Sequence, residues 1–383
     1  MGFRFERRAR SRKARTGVRS WFGKPPDARE VAERLRRLLP RLWKDVELGG
    51  SAARHSVKLH RFAPALRIGI EADAALAVEA EAGTVGPGYC DEIVARLAPV
   101  LDEIDYAWDD APPPRDAMLG WLAGELAAGA TRIGMPEGRA FVLDAAVQTA
   151  MGPRDAAWRD AVLADPAAGA DAFAWDARGP GRRELSSALL AMWHEVPWRE
   201  PFDDAELKVM TRVDRDLVAA READPELALP YAAWAELAGH LNDDERTTEL
   251  AGLATGPAMI GYRRFDMVLD LDGWSLTLPG SFVGRWEKER YWATDGRRAV
   301  ELTTLETAEQ DPDKLLDVAP AIHPVIDRLS EGARRGRAEV HDEDAVHIVH
   351  GLVAVAPHVA ILTCKGAASD EPWALATWRS LHR

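Results

Sequence analysis

A chain of 383 residues with 47% apolar content can build packed cores in two or three domains. Its two cysteines, Cys90 and Cys364, lie far apart, which argues against a disulfide framework and for a reducing compartment. No run of about 18 apolar residues occurs, and the N-terminus lacks an apolar h-region, so no membrane span and no secretory signal are expected and the cytoplasm is the expected location.

Charge is uneven along the chain. Residues 1–24 hold nine basic residues (Arg4, Arg7, Arg8, Arg10, Arg12, Lys13, Arg15, Arg19 and Lys24) against Glu6 alone, a net of +8. The whole chain carries −13, so the remainder carries −21. Residues 1–26 therefore read as a basic arm on an acidic body. Such an arm folds onto its own body, docks on an acidic partner or anionic surface, or binds nucleic acid. Arg7, Arg8, Arg10, Arg12, Lys13 and Arg15 are its candidate partner-binding residues. The acidic body opposes the nucleic-acid reading. The 41 arginines against 8 lysines, with abundant Ala and Gly, indicate a high-GC bacterial genome.

From Asp27, a plausible N-cap, Val31, Leu35, Leu38, Leu39 and Trp43 share one helical face. Short strands are expected at Ser56–Leu59, Leu66–Glu71 and Leu76–Ala80. A helix follows from Gly88 to Ile104, giving an α-β-β-β-α module. "APPP" at 111–114 punctuates. A helix is expected over Arg115–Ala128 and a strand within Ala140–Thr149. Further helices are expected over Arg154–Ala164, Arg182–Val196, Asp203–Ala223 and Pro230–Leu241, so residues 27–255 form an α+β domain that is mainly helical after 110. The polar, then Gly-rich stretch at 242–257 reads as a domain boundary.

After it the pattern turns to strands. Asp272-Gly273 between two β-rich runs is a strong hairpin signal. Strands follow at Tyr291–Thr294 and Val300–Thr304, then a helix from Pro312 to Ser330. Arg337–Val340, Val346–Val355 and Val359–Lys365 read as a meander, and a helix closes the chain. Residues 258–383 are thus expected to form an antiparallel sheet with two helices. Through "GWSLTLPGSF" (273–282), "VAILTC" (359–364) and "WALATWRSL" (373–381), this third of the chain resembles the PsbP/Mog1-like families, including small DcrB-like domains. That resemblance implies a binding or assembly module without its own catalysis and transfers no functional residue. Residues 1–255 resemble no characterised family.

Candidate chemistry is sparse. "GTVGPGYCDEIVARL" (Gly83–Leu97) places glycines before a helix, where free N–H groups attract anions. Gly86, Gly88 and Tyr89 are the candidate anion-binding residues, although Asp91 and Glu92 repel phosphate and the dinucleotide and P-loop patterns are not met. Cys90, near the helix start, is a conceivable nucleophile without an adjacent base. "HDEDAVHIVH" clusters His341, His347 and His350, with His358 beyond. His347 and His350 fall on opposite faces of a regular strand, so no metal is expected. "WHEVPW" (193–198) starts like a zincin helix but has Trp198 where the second histidine is needed. The run Asp102, Glu103, Asp105, Asp109 and Asp110 reads as a solvated helix end. No catalytic residue, metal or cofactor is assigned. The function expected is that of a non-enzymatic protein-binding protein, of adaptor or immunity and defence type. The alternatives are an enzyme with a site near Gly86–Cys90 and a nucleic-acid-associated factor acting through residues 1–24.

Overall fold

The computed structural model describes residues 2–12, 27–51, 53–110, 115–135, 140–255 and 259–383. Its architecture is mixed α+β, with antiparallel sheets predominating.

The first layer is a six-stranded antiparallel sheet built from β1 (Arg4–Ser11), β2 (Glu47–Ser51), β3 (Arg54–Lys58), β4 (Leu66–Ile70), β5 (Leu76–Glu81) and β6 (Tyr106–Trp108), in the order β2-β3-β4-β5-β1-β6. The helices α1 (Ala28–Leu42) and α2 (Pro87–Glu103) cover one face. Asp27 caps α1 by accepting the Arg29 N–H. Val31, Leu35 and Leu39 of α1 and Ile93 and Leu97 of α2 are buried in one cluster with Val57, Leu66, Ile68, Leu76 and Val78 of the sheet.

The basic arm is corrected here. Residues 4–11 are an interior strand, antiparallel to β5 (Arg4↔Glu81 to Ala9↔Leu76) and to β6 (Ala9↔Trp108 to Ser11↔Tyr106). Phe5 and Ala9 are fully buried, while Arg4, Glu6 and Arg8 point out. The alternation is period two, but arginines occupy most of its other positions and mask it. Lys13, Arg15, Arg19 and Lys24 lie outside the described residues.

The middle of the chain is largely helical: α3 (Arg115–Ala127), α4 (Ala156–Ala164), α5 (Arg182–His194), α6 (Asp204–Ala223), α7 (Tyr231–His240) and α8 (Asp244–Leu253). Asp155, Asp203 and Asp243 cap α4, α6 and α8. α8 falls inside the stretch read as a domain boundary; its Asp243 cap and buried Leu250 give it an anchored start and one apolar contact. The single strand expected over 140–149 is two, in different sheets. β8 (Ala140–Phe141) pairs with Met267 and Val268, whereas β9 (Val147–Thr149) lies between β7 (Arg132–Ile133) and β10 (Gly152–Arg154).

β11 (Asp266–Leu271) and β12 (Trp274–Pro279) form the hairpin turned by Asp272-Gly273, both at positive φ (57° and 76°) as a type I′ turn requires. A seven-stranded antiparallel sheet follows: β13 (Val283–Glu287), β14 (Arg290–Thr294), β15 (Ala299–Glu306), β16 (Val325–Glu331), β17 (Arg334–Glu343), β18 (Val346–Val355) and β19 (His358–Gly366). Its order is β13-β14-β15-β19-β18-β17-β16. The helix expected over Pro312–Ser330 is corrected: α9 spans Pro312–Val318 and β16 begins at Val325. Pro320 and Pro324 remove N–H donors and disfavour helical geometry at the residue before each.

The large sheet has two unlike faces. On one, Ala338, Val349, Val353, Ala360 and Leu362 bury Trp378 of α10 (Glu371–Arg379). Gly351 faces this indole, and any Cβ there would overlap the ring. On the other, Leu315 of α9 covers Leu352, Ala354 and Val359. Beside that contact the same face carries Arg337, Glu339, His341, His350 and Thr363, in register across β17, β18 and β19.

Candidate functional site

The Gly83–Leu97 turn is filled by protein. Gly86, Gly88, Tyr89 and Cys90 are all buried. The Gly88 N–H donates to the Trp175 carbonyl at 3.0 Å, and the Trp175 N–H donates to the Val85 carbonyl at 2.9 Å. Gly86 has φ 121°, and a Cβ there would come 2.5 Å from the Trp175 oxygen. A Cβ on Gly88 would overlap the Trp175 ring. The glycines therefore admit an indole and its backbone, and the anion-binding assignment of Gly86, Gly88 and Tyr89 is corrected. Burial, and then Asp91, push the Cys90 thiol up to about 12, which removes the thiolate that a nucleophile needs.

The arginines of β1 meet carboxylates of the same chain. Arg8 pairs with Glu71, and Arg10 reaches Asp73 at 3.5 Å and Asp109 at 3.3 Å. Arg12 pairs with Asp102. Arg7 is half-buried on the inward side of the strand. The acidic run is answered by these and by Arg41, 2.9 Å from Glu103. His194 of "WHEVPW" is buried at the end of α5, with Nε2 2.9 Å from the Ala150 carbonyl.

The histidines between 341 and 350 divide into two sets. His347 bridges Asp342 at 2.8 Å and Glu371 at 3.1 Å; the hydrogen bond to Asp342, set against burial, raises it above the usual imidazole range. His341 and His350 come together across the β17–β18 hairpin, whose turn at Asp344-Ala345 has positive φ at both residues. They are diagonal neighbours on one face, since Glu339 is opposite His350 and His341 is two residues further along β17. His323 joins them from the loop after α9.

This three-histidine group has defined supports. One ligand nitrogen from each ring lies within 4.8 Å of the other two. The rings stack, with centroids 3.9 Å (His323–His341), 5.2 Å (His341–His350) and 6.1 Å (His323–His350) apart and planes within 15°. His350 Nδ1 is 2.9 Å from the Thr363 hydroxyl on the neighbouring strand. Glu339, 6% exposed, accepts the N–H groups of Ile322 (2.9 Å) and His323 (3.1 Å) and the Arg337 Nε–H (2.7 Å). Arg337, also buried, donates on to the carbonyls of Leu316 and Ala319. This buried pair fastens the loop to the sheet and so places His323. Burial, and then His341 and His323, hold His350 below the usual imidazole range. Burial opposes ionisation of Glu339, but Arg337 and the two amides outweigh it and keep the carboxyl low. The expectation of no metal rests on pairing His347 with His350. Carrying the register through the Asp344-Ala345 turn instead sets His341 diagonally beside His350 on one face, while His323 falls in a segment whose pattern reads as helix.

A second feature lies at the opposite edge of the large sheet. β13 ends the strand order, and among the described residues no strand pairs with its outer side. Trp286 on β13 is 46% exposed, and Phe202, before α6, is 50% exposed. Phe202 lies 6.3 Å from Trp292, Trp286 lies 5.7 Å from Tyr291, and the Arg285 guanidinium sits 4.8 Å over Trp292.

No family model matches the chain, and no curated protein does. Among solved structures it is similar to cyanobacterial PsbP (CyanoP) from Synechocystis sp. PCC 6803, at 11% identity and a TM-score of 0.23, over 29% of this chain and 86% of that one. That is a faint likeness. No helix of the described residues is long and apolar enough to cross a membrane.

Proposed function

We propose that the chain works by binding another protein and receives it on the β13 edge of the large sheet. The observation that carries this reading is the open β13 edge with half-exposed aromatic side chains on both faces of the sheet, Trp286 against Tyr291 on one and Phe202 against Trp292 on the other. Large aromatics and arginine dominate the energetics of interfaces. An open edge offers backbone N–H and C=O groups to an incoming strand. Trp292 and Arg285 pre-order the face that carries Phe202 through ring and cation–π contacts, and Tyr291 steadies Trp286 on the other face, which lowers the ordering cost of association. A net charge of −13 favours encounter with a basic partner, which agrees with the adaptor or defence-type role raised by the sequence.

The test is site-specific photo-crosslinking. A benzophenone amino acid is placed at position 286 and, separately, at Thr303 in the middle of the sheet, in cells of the source organism. A defined protein adduct at 286 and not at 303 is expected, lost on Phe202→Ala with the melting temperature unchanged. No adduct at 286, or the same adducts at both positions, rejects the reading.

A further inference from the structure

We propose that His323, His341 and His350 bind one divalent transition-metal ion of the zinc, cobalt or nickel class. Three separate segments supply the imidazoles: the loop after α9, β17 and β18. Neutral imidazole is a preferred ligand of these ions. A tetrahedral site with Zn–N bonds of about 2.0–2.1 Å places its nitrogens about 3.4 Å apart. The observed separations, within 4.8 Å, need closure by about 1.4 Å or less, which follows from turning the rings about the broad, two-fold χ2 torsion.

Three further observations favour a site over a chance cluster. First, His341 Nδ1 is a buried nitrogen with no hydrogen-bond partner. Coordination would satisfy it, and it is the unpartnered ring nitrogen that stands in a group of three histidines. Second, His350 has the support usual for a metal-binding histidine, a non-ligating nitrogen held by an outer partner. Thr363 holds Nδ1 of His350 and leaves Nε2 for the ion. Third, Glu339 and Arg337, both buried, fix the backbone at His323 through charge-assisted hydrogen bonds. A loop histidine held by a buried ion pair is pre-organised, which a solvated turn residue does not need. Each ring is partly exposed, and the neighbouring Ile322 is 79% exposed, so an ion has a path in. Three nitrogen donors leave a further coordination position open to solvent or to a side chain of a partner. Glu339 is a positioning residue here, since its oxygens are engaged by Arg337 and the loop amides.

The experiment uses the full chain without a histidine tag, freed of metal with a chelator and titrated with Co2+ and then Zn2+. Calorimetry gives stoichiometry and affinity, and the visible absorption of bound cobalt reports the donor set. The expected result is one ion per chain. His323→Ala, His341→Ala and His350→Ala should each weaken binding by at least about 100-fold, more than loss of an outer partner does. Thr363→Val should weaken it about 10- to 100-fold with stoichiometry kept. His358→Ala, outside the group, should change nothing. His→Gln variants of similar size repeat the test if an alanine variant melts early. No binding at millimolar metal, or binding of equal strength in the triple His→Ala chain, overturns the proposal.

Discussion

His60 shows how a single buried group sets a pH dependence. It is 3% exposed. Its Nδ1 accepts the Phe62 N–H at 3.2 Å, so the proton sits on Nε2 and is donated to Ser186 Oγ at 3.0 Å. Ser186 in turn donates to the Arg183 carbonyl at 2.8 Å. The ring is thereby held neutral. Burial, and then Arg183, Lys58 and Arg61, push it down to about 3. In the unfolded chain the group titrates near about 6.5. Above that value both states are neutral and the group is silent. As pH falls below it, the unfolded state takes a proton that the folded state refuses, so stability is lost from about 6.5 down to about 3, at about 1.4 kcal/mol per pH unit. Denaturant melts of wild type and His60→Gln, taken from pH 7 to pH 4.5, check this. The variant should be less stable at pH 7 but decline less steeply below about 6.5. Equal slopes would exclude His60 as the source. Cys90 makes the complementary point: a thiol held near 12 by its packing is core, so Cys90→Ser should leave any binding activity intact.

β1 decides what the N-terminal segment is for. As an interior strand it completes the ladder between β5 and β6, and Phe5 contributes a fully buried ring. Phe5→Ala should cost about 3–5 kcal/mol. Ala9→Pro removes a ladder donor at a position paired on both sides and should be at least as damaging. Arg4, with its side chain 77% exposed, should tolerate Ala with no change in melting temperature. Circular dichroism melts separate these outcomes; a chain lacking residues 2–12 that melts with the wild type would refute the structural role. The same strand marks the limit of what a sequence discloses. α2 and α5 are legible because apolar residues recur at helical spacing, and the β11–β12 hairpin because Asp272-Gly273 is a local turn signal. β1 is not, because its partners lie some seventy to a hundred residues away and its outward face is arginine. α8 escapes notice because its sequence is mostly polar. In the histidine group, His341 and His350 are legible through hairpin register, whereas His323 depends on where α9 stops.

At the scale of the whole molecule, the stretch at 242–257 separates strand-rich from helix-rich sequence, yet contacts cross it. β8, from residues 140–141, adds to β11 (Met267↔Phe141). Phe141 stacks on Tyr262 with centroids 4.8 Å apart, and Trp193 of α5 packs on the same ring at 5.3 Å. The Tyr262 hydroxyl donates to the Thr149 carbonyl at 2.8 Å. Arg264 lies 4.0 Å over Trp198 and binds Glu236 at 2.6 Å. Phe141 and Trp193 therefore belong to the core that encloses Trp274 and Trp378. A fragment of residues 258–383 keeps the large sheet and its closing helix but loses these two rings and the β8 pairing. It should melt well below the full chain and bind a hydrophobic dye where the full chain does not. In the full chain, Phe141→Ala should lower the stability of both halves together by about 3–5 kcal/mol, because the ring fills space between them. Scanning calorimetry distinguishes the cases. Coupling of this kind predicts that the C-terminal half unfolds later in the intact chain than alone. A fragment that reproduces one transition of the full chain at the same temperature would mean that the contacts across 242–257 add nothing, and that the two halves are independent units.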